Sequence, residues 1–178
     1  MRRLIPPCLL IGFDDNIMIE ELLTRFDCEI TKLTKIMKKD EQRLLGLVND
    51  KYELGLKEND LPYARFDAYS KGIVAELKCR DKHYNETLIE FSKFSFNIKY
   101  SELADCKFYY IVSMPKPNNL EHIYLFDVSG LAVSGYDFKW GWKEMPFNTE
   151  FGSSSKTKKL VGYLDISQAI GTFVVNNN

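Results

Sequence analysis

Two strand-like segments carry the residues whose types and spacing could do chemistry. Glu76 and Lys78 lie two apart within residues 72–80, GIVAELKCR, so on an extended strand their side chains share one face. Leu77 then points to the other face, with Ile73, Ala75 and Cys79. Asp67, in the preceding segment YARFDAY, lies nine positions before Glu76 (76 − 67 = 9). A tight turn at residues 70–72, SKG, joins the two segments as a hairpin and brings Asp67 and Glu76 to the same end of adjacent strands. Two carboxylates and one amine then converge. An isolated E-x-K also suits a solvated ion pair, but here apolar residues stand on both sides of Glu76, unlike the alternation of a half-exposed strand. Carboxylates partly withdrawn from water need a partner, and a divalent cation is one. Oxygen donors with no convergent His or Cys suit Mg2+ or Mn2+ rather than zinc.

Other chemistries find less support. The four cysteines, Cys8, Cys28, Cys79 and Cys106, form no CxxC pair and read as reduced, mostly buried thiols of a reducing compartment. His83, in RDKHYN, reads as an exposed loop residue and His122 as a structural one at the start of a strand. No GxxxxGK, GxGxxG, nucleophile elbow or HExxH occurs. Trp140 and Trp142 read as packing residues, with base stacking as the alternative. The 178 residues, 45% hydrophobic and 28% charged, are enough for one buried core. The net charge of −1 excludes binding of nucleic acid through a global basic field, so any such contact must come from a local patch or a bound metal. The N-terminal apolar run is interrupted by Pro6 and Pro7 and is far below spanning length, so the expectation is a cytosolic protein with no membrane partner, in its own cell or an infected host.

The elements that must position the site follow from periodicity. Residues 17–26 have helical spacing behind Asn16 as N-cap, and residues 31–39 form a basic helix or arm. Residues 40–50 read as a helix capped by Asp40, with Leu44, Leu47 and Val48 on one face. KYELGL, YARFDAY and GIVAELKCR read as three strands, and the segment from Asn85, NETLIEFSKFSFNIKY, as a helix capped by that Asn. Strands follow at 107–114, at HIYLFDVSGL and at KLVGYLDI, the last preceded by a flexible basic loop, GSSSKTKK. The expected fold is α/β (α+β), a mixed central sheet flanked by helices. Residues 1–178 form a single domain: a helical extension over 1–39, a core over 40–114, and strands and loops over 115–178 that complete the sheet or meet substrate.

Asp67 on one strand and Glu76-Leu77-Lys78 on the next, within a helix–strand–strand–strand–helix–strand order, resembles the PD-(D/E)XK nuclease superfamily, the restriction-endonuclease-like enzymes. The resemblance covers roughly residues 40–114. It departs from the pattern at Phe66, which stands where a proline often precedes the aspartate. It implies phosphodiester hydrolysis, with Asp67, Glu76 and the Leu77 carbonyl as ligands of Mg2+ (Mn2+ substituting) and Lys78 orienting the attacking water. It also implies a glutamate from the preceding helix, for which Glu41 is the choice and Glu21 the fallback, and a basic residue on the following helix, which Lys93 matches by position. Arg80 shares the face of Lys78 and Arg65 the parity of Asp67, so both are candidate phosphate contacts, as are Lys156 and Lys158 in the basic loop.

The expected function is therefore a metal-dependent DNA endonuclease, with DNA as partner, a homodimer as one arrangement and a phage or mobile element as a fitting source. The competing expectations are a non-catalytic interaction protein on the same scaffold and a metal-dependent hydrolase of small nucleotides.

Overall fold

The computed structural model describes residues 39–61, 64–116, 119–146 and 156–176, all within the compact unit Lys35–Asn178. The expected helix at 17–26, the basic stretch 31–38, Cys8, Cys28 and Glu21 lie outside the described residues.

Helix α1, Lys39–Tyr52, lays Leu44, Leu45 and Val48 on one face of a six-stranded sheet. The sheet runs β1 (Lys57–Glu58), β2 (Ala68–Ser70), β3 (Ile73–Cys79), β5 (Lys107–Lys116), β6 (Leu120–Asp127) and β9 (Gly171–Asn176) in that spatial order. Only the β3–β5 pair is parallel; its other neighbours are antiparallel, so the sheet is mixed. The parallel pair needs a crossover. It is made by β4 (Glu86–Glu90) and helix α2 (Phe91–Leu103), which lie on the sheet's other face. There β4 joins a second sheet of order β4-β8-β7, with β7 at Gly141–Pro146 and β8 at Lys156–Asp165. A short helix α3, Val128–Ser134, packs on that side too, capped by the Asp127 side chain. The α/β class and the helix-flanked mixed sheet are thus as expected.

Alternation along β3 divides the core. Ala75 and Leu77 join the α1 side, whereas Val74 joins Phe108, Tyr110, Val112 and Phe126 on the other. Strand β5 is buried from Phe108 to Met114, as its continuous apolar run requires.

Five expectations about elements are corrected. Residues 51–56 are not a strand: α1 continues to Tyr52, and Glu53 and Gly55 take positive φ in the link to β1. The Asn49 side chain closes that link by bonding both the N–H and the carbonyl of Leu56 at 2.8 Å. Asp40 lies inside the first turn of α1 and is not its cap. The helix expected from Asn85 begins only at Phe91, because Thr87 and Ile89 alternate inward as strand β4 and pair with β8 some 75 residues away (Leu88↔Tyr163). Residues 156–159 of the expected basic loop belong to β8, and β6 gives way to α3 at Val128. The thiols are also less buried than expected: Cys79 is exposed and Cys106 half-buried, both free.

Candidate active site

The hairpin register answers the question of convergence. Ala68↔Ala75, Tyr69↔Val74 and Ser70↔Ile73 are paired, so Asp67 falls opposite Glu76 one step beyond. Gly72, at φ 77°, makes the turn that fixes this register. The Asp67 main chain is pinned from both sides, donating to the Ala75 carbonyl and accepting from the Asn59 N–H, each at 2.9 Å. Its Oδ2 accepts from the Leu77 N–H at 2.9 Å. Asp67 and Glu76 are both buried, at 4% and 0% exposure.

Lys78 Nζ sits where three acceptors meet. It lies 2.6 Å from Glu76 Oε1 and 3.6 Å from Asp67 Oδ2, and it donates to the Leu77 carbonyl at 2.9 Å. Desolvation alone would lower its pKa, but the Glu76 and Asp67 carboxylates hold it above the ordinary lysine value. A second ammonium, that of Lys93, also bonds Glu76 Oε1. Lys93 stands in the first turn of α2, and the direct passage from β4 into α2 places it over the strand. The other oxygen of Glu76, Oε2, is buried with no hydrogen-bond partner among the described residues.

Glu76, Lys78 and Lys93 open into a cleft of about 340 Å³ that Glu41, Arg80 and Tyr110 also help to line; Asp67, 3.6 Å from Lys78 Nζ, is not in that lining. Glu41 and Lys93 therefore come to the same cleft as the E-x-K strand. Arg80 lines it too, but its guanidinium is engaged: it donates to the Leu88 carbonyl at 3.0 Å and to Thr87 Oγ1 and Tyr110 Oη at 3.3 Å. Tyr110, beside Glu76 in the parallel pair, is pushed up to about 12 by burial, and its hydroxyl donates to the Leu88 carbonyl. Cys79 also lines the cleft. Desolvation and the nearby Glu41 and Asp40 carboxylates push its thiol up to about 12, so it offers no thiolate nucleophile at neutral pH.

Other candidates fall elsewhere. Arg65 is in a bend before β2 begins at Ala68, so strand parity does not govern it; its guanidinium lies 6.0 Å from the centroid of the Phe96 ring, outside the cleft lining. Lys156 and Lys158 are exposed on β8, opposite Pro146 and Glu144. His83 is not an isolated loop residue: its Nε2 lies 2.8 Å from Tyr124 Oη and its ring stacks edge-on against His122. Trp140 packs against Phe94 and Phe138, whereas Trp142 is 72% exposed. Tyr110, and the Met145 contribution from β7, were not singled out by sequence reasoning. The even-numbered face of β5 that Tyr110 shares with Phe108 and Val112 is the signal that could have found it.

The donor set can be tested for a cation. Among the described residues no three His, Cys, Asp or Glu side chains gather as a metal cluster. What gathers is two carboxylates and one main-chain carbonyl, all oxygen, already holding an ammonium, with the second Glu76 oxygen buried and without a partner among the described residues. That set fits a hard divalent cation.

No protein-family model matches the chain, and no curated protein matches its sequence. Among solved structures, the chain is similar to Hjc, a Holliday junction resolvase of the archaeal hyperthermophile Archaeoglobus fulgidus, at 11% identity and a TM-score of 0.39, over 74% of this chain and 88% of that one. No helix among the described residues is long and apolar enough to cross a membrane.

Proposed function

We propose that the protein is a metal-dependent DNA endonuclease that hydrolyses phosphodiester bonds in this cleft. The observation that carries the reading is the placement of one cation, the Lys78 ammonium, on Asp67, Glu76 and the Leu77 carbonyl at once. Asp67, Glu76 and the Leu77 carbonyl would hold Mg2+, or Mn2+ in its place. When bound, the ion supplies positive charge and Lewis acidity at the scissile phosphate.

The chain's own residues do the rest. Lys78, placed beside both carboxylates, would orient the attacking water and balance charge developing on the phosphate. Lys93 keeps a second ammonium beside Glu76, where it offsets the negative charge of that carboxylate and of an arriving phosphate. Glu41, at the start of α1, stands on the same cleft as a further carboxylate for the ion or the water. Arg80, braced by β4 and Tyr110, offers a guanidinium of fixed direction to an adjacent phosphate. This is positioning and electrostatics, which is what phosphoryl transfer needs.

The test is cleavage of supercoiled and linear DNA with Mg2+, Mn2+ or EDTA by wild type, Lys78→Ala and Glu76→Ala. The expected result is metal-dependent cutting that falls by about two orders of magnitude or more in each variant, the scale of losing a transition-state donor. Absence of cutting together with absence of Mn2+ binding in calorimetry would leave the ion pairs as structural and favour an interaction protein. Cutting of free nucleotides but not of DNA would favour the small-nucleotide hydrolase.

A further inference from the structure

We infer that the DNA strand reaches the cleft unpaired, and that the second sheet furnishes a separate chamber for the nucleotide next to the scissile phosphate. This rests on the nuclease reading above and specifies its substrate.

The cleft does not end at Arg80. A second cavity of about 430 Å³ adjoins it, and Cys79, Arg80, Asp81 and Leu88 line both. The far wall of the pair of cavities is one face of the β4-β8-β7 sheet. The register Leu88↔Tyr163, Glu90↔Val161 and Val161↔Gly141 puts Leu88, Tyr163, Lys143 and Met145 on the same side. Each of these four residues lines one cavity or the other. The opposite side of that sheet carries Ile89 and Leu164 into the core. The sheet thus has a buried face and a face built onto the cleft.

The chemistry of the second chamber suits a nucleotide. Tyr84, 51% exposed, and Tyr163 both line it, offering aromatic groups on which a base can stack. Lys143 Nζ lies 6.0 Å from the centroid of the Tyr163 ring, so a base placed there would meet an ammonium as well. Arg80 and Lys82 supply cationic donors for a phosphate. Asp81 and Glu86 also line the chamber, so its three cations exceed its carboxylates by only one. That balance suits one or two phosphates and not a charged track for a duplex. Two adjoining spaces of a few hundred cubic ångströms hold single nucleotides, and a paired helix does not enter them. With a net charge of −1 the chain has no global field to hold a duplex by its backbone, so stacking must contribute to affinity.

The experiment is fluorescence anisotropy in EDTA with three labelled DNAs: a short single strand, a duplex with a single-stranded extension, and a blunt duplex of the same sequence. Wild type, Tyr84→Ala and Lys143→Ala are compared, both substitutions being at exposed positions, with circular dichroism to show that each is folded. The single strand and the extended duplex should bind more tightly than the blunt duplex. Tyr84→Ala should weaken the single strand about tenfold, as loss of one stacking contact does, and so narrow that preference. Lys143→Ala should narrow it further in the same direction. Equal binding of blunt and extended duplex, or folded variants with unchanged preference, overturns the inference. If blunt duplex is nevertheless cut when metal is restored, the nuclease reading stands without it; if no DNA is bound or cut, both fall.

Discussion

Lys78 shows how much a single residue's surroundings decide its chemistry. A lysine that served as general base would need a lowered pKa. Here desolvation acts that way, but the Glu76 and Asp67 carboxylates overcome it and hold the amine above its usual value. With the site free of metal, the Lys78 amine should therefore show no titration between about pH 6 and 9 in NMR of the labelled side chain. A titration in that range that is missing from Lys78→Arg would contradict this assignment. The same shift fixes a stability effect. A raised folded pKa contributes stability that is fully present below the unfolded value of 10.5 and is lost as the pH rises through the folded value. Lys78→Met should accordingly cost about 1–3 kcal/mol near neutrality in urea unfolding, less than a lone buried pair would, because Lys93 remains on Glu76. At this scale the sequence was readable. Strand parity places Glu76 with Lys78, the turn at Gly72 places Asp67, and both hold. Parity failed for Arg65, since the strand that would have justified it is only three residues long.

The second sheet is the element that sequence reading did not anticipate, and the reason is physical. ETLIE precedes a long stretch without Gly or Pro, so nothing local separates a strand from the helix that follows. Its partner β8 is distant in sequence, and strand pairing of that kind leaves no periodic trace. One residue reveals the packing that results. A Cβ on Gly162 would meet the Trp140 ring at 2.8 Å and Phe138 Cβ at 3.0 Å. Gly162→Ala should lower stability by about 1–3 kcal/mol in urea titration, the usual cost of overpacking. It should also reduce DNA cleavage, because β8 supports β4 and β4 leads directly into the turn of α2 that carries Lys93. A stable variant with full activity would show that β8 can shift without moving the site. Helix α1 is tied down differently. Arg43 bonds Glu121 at 2.6 Å, and Glu121, 5% exposed, also accepts from Ser113. Arg43→Ala should leave that buried carboxylate short of a donor and cost about 1–3 kcal/mol, read by the same titration.

Across the whole molecule, charge is nearly balanced, and this bears on how the fold responds to pH. The net charge of −1 means that no large self-repulsion builds up near neutrality, so specific groups set the pH dependence. The chain has two histidines, His83 and His122, and the fold stacks them together although they lie 39 positions apart (122 − 83 = 39). No local pattern in the sequence announces that contact, because it depends on β6 lying beside β5 and on the loop after β3 folding over both. Burial first, then the charge of Lys116, lowers both pKa values, and His122 lowers that of His83 further. A depressed folded value favours the neutral imidazole. Its contribution to stability is present in full above the unfolded value of 6.5 and is lost progressively as the pH falls below it and through the lower folded values. Wild type should therefore lose Tm between about pH 7.5 and 5.5, before most carboxylates titrate. His83→Gln keeps a polar group opposite Tyr124 Oη and removes one of the two titrations, so it should flatten that decline while DNA cleavage is retained. A wild-type Tm that is constant over this range, or a variant that declines as steeply, would show that the histidine pair is solvated in both protonation states.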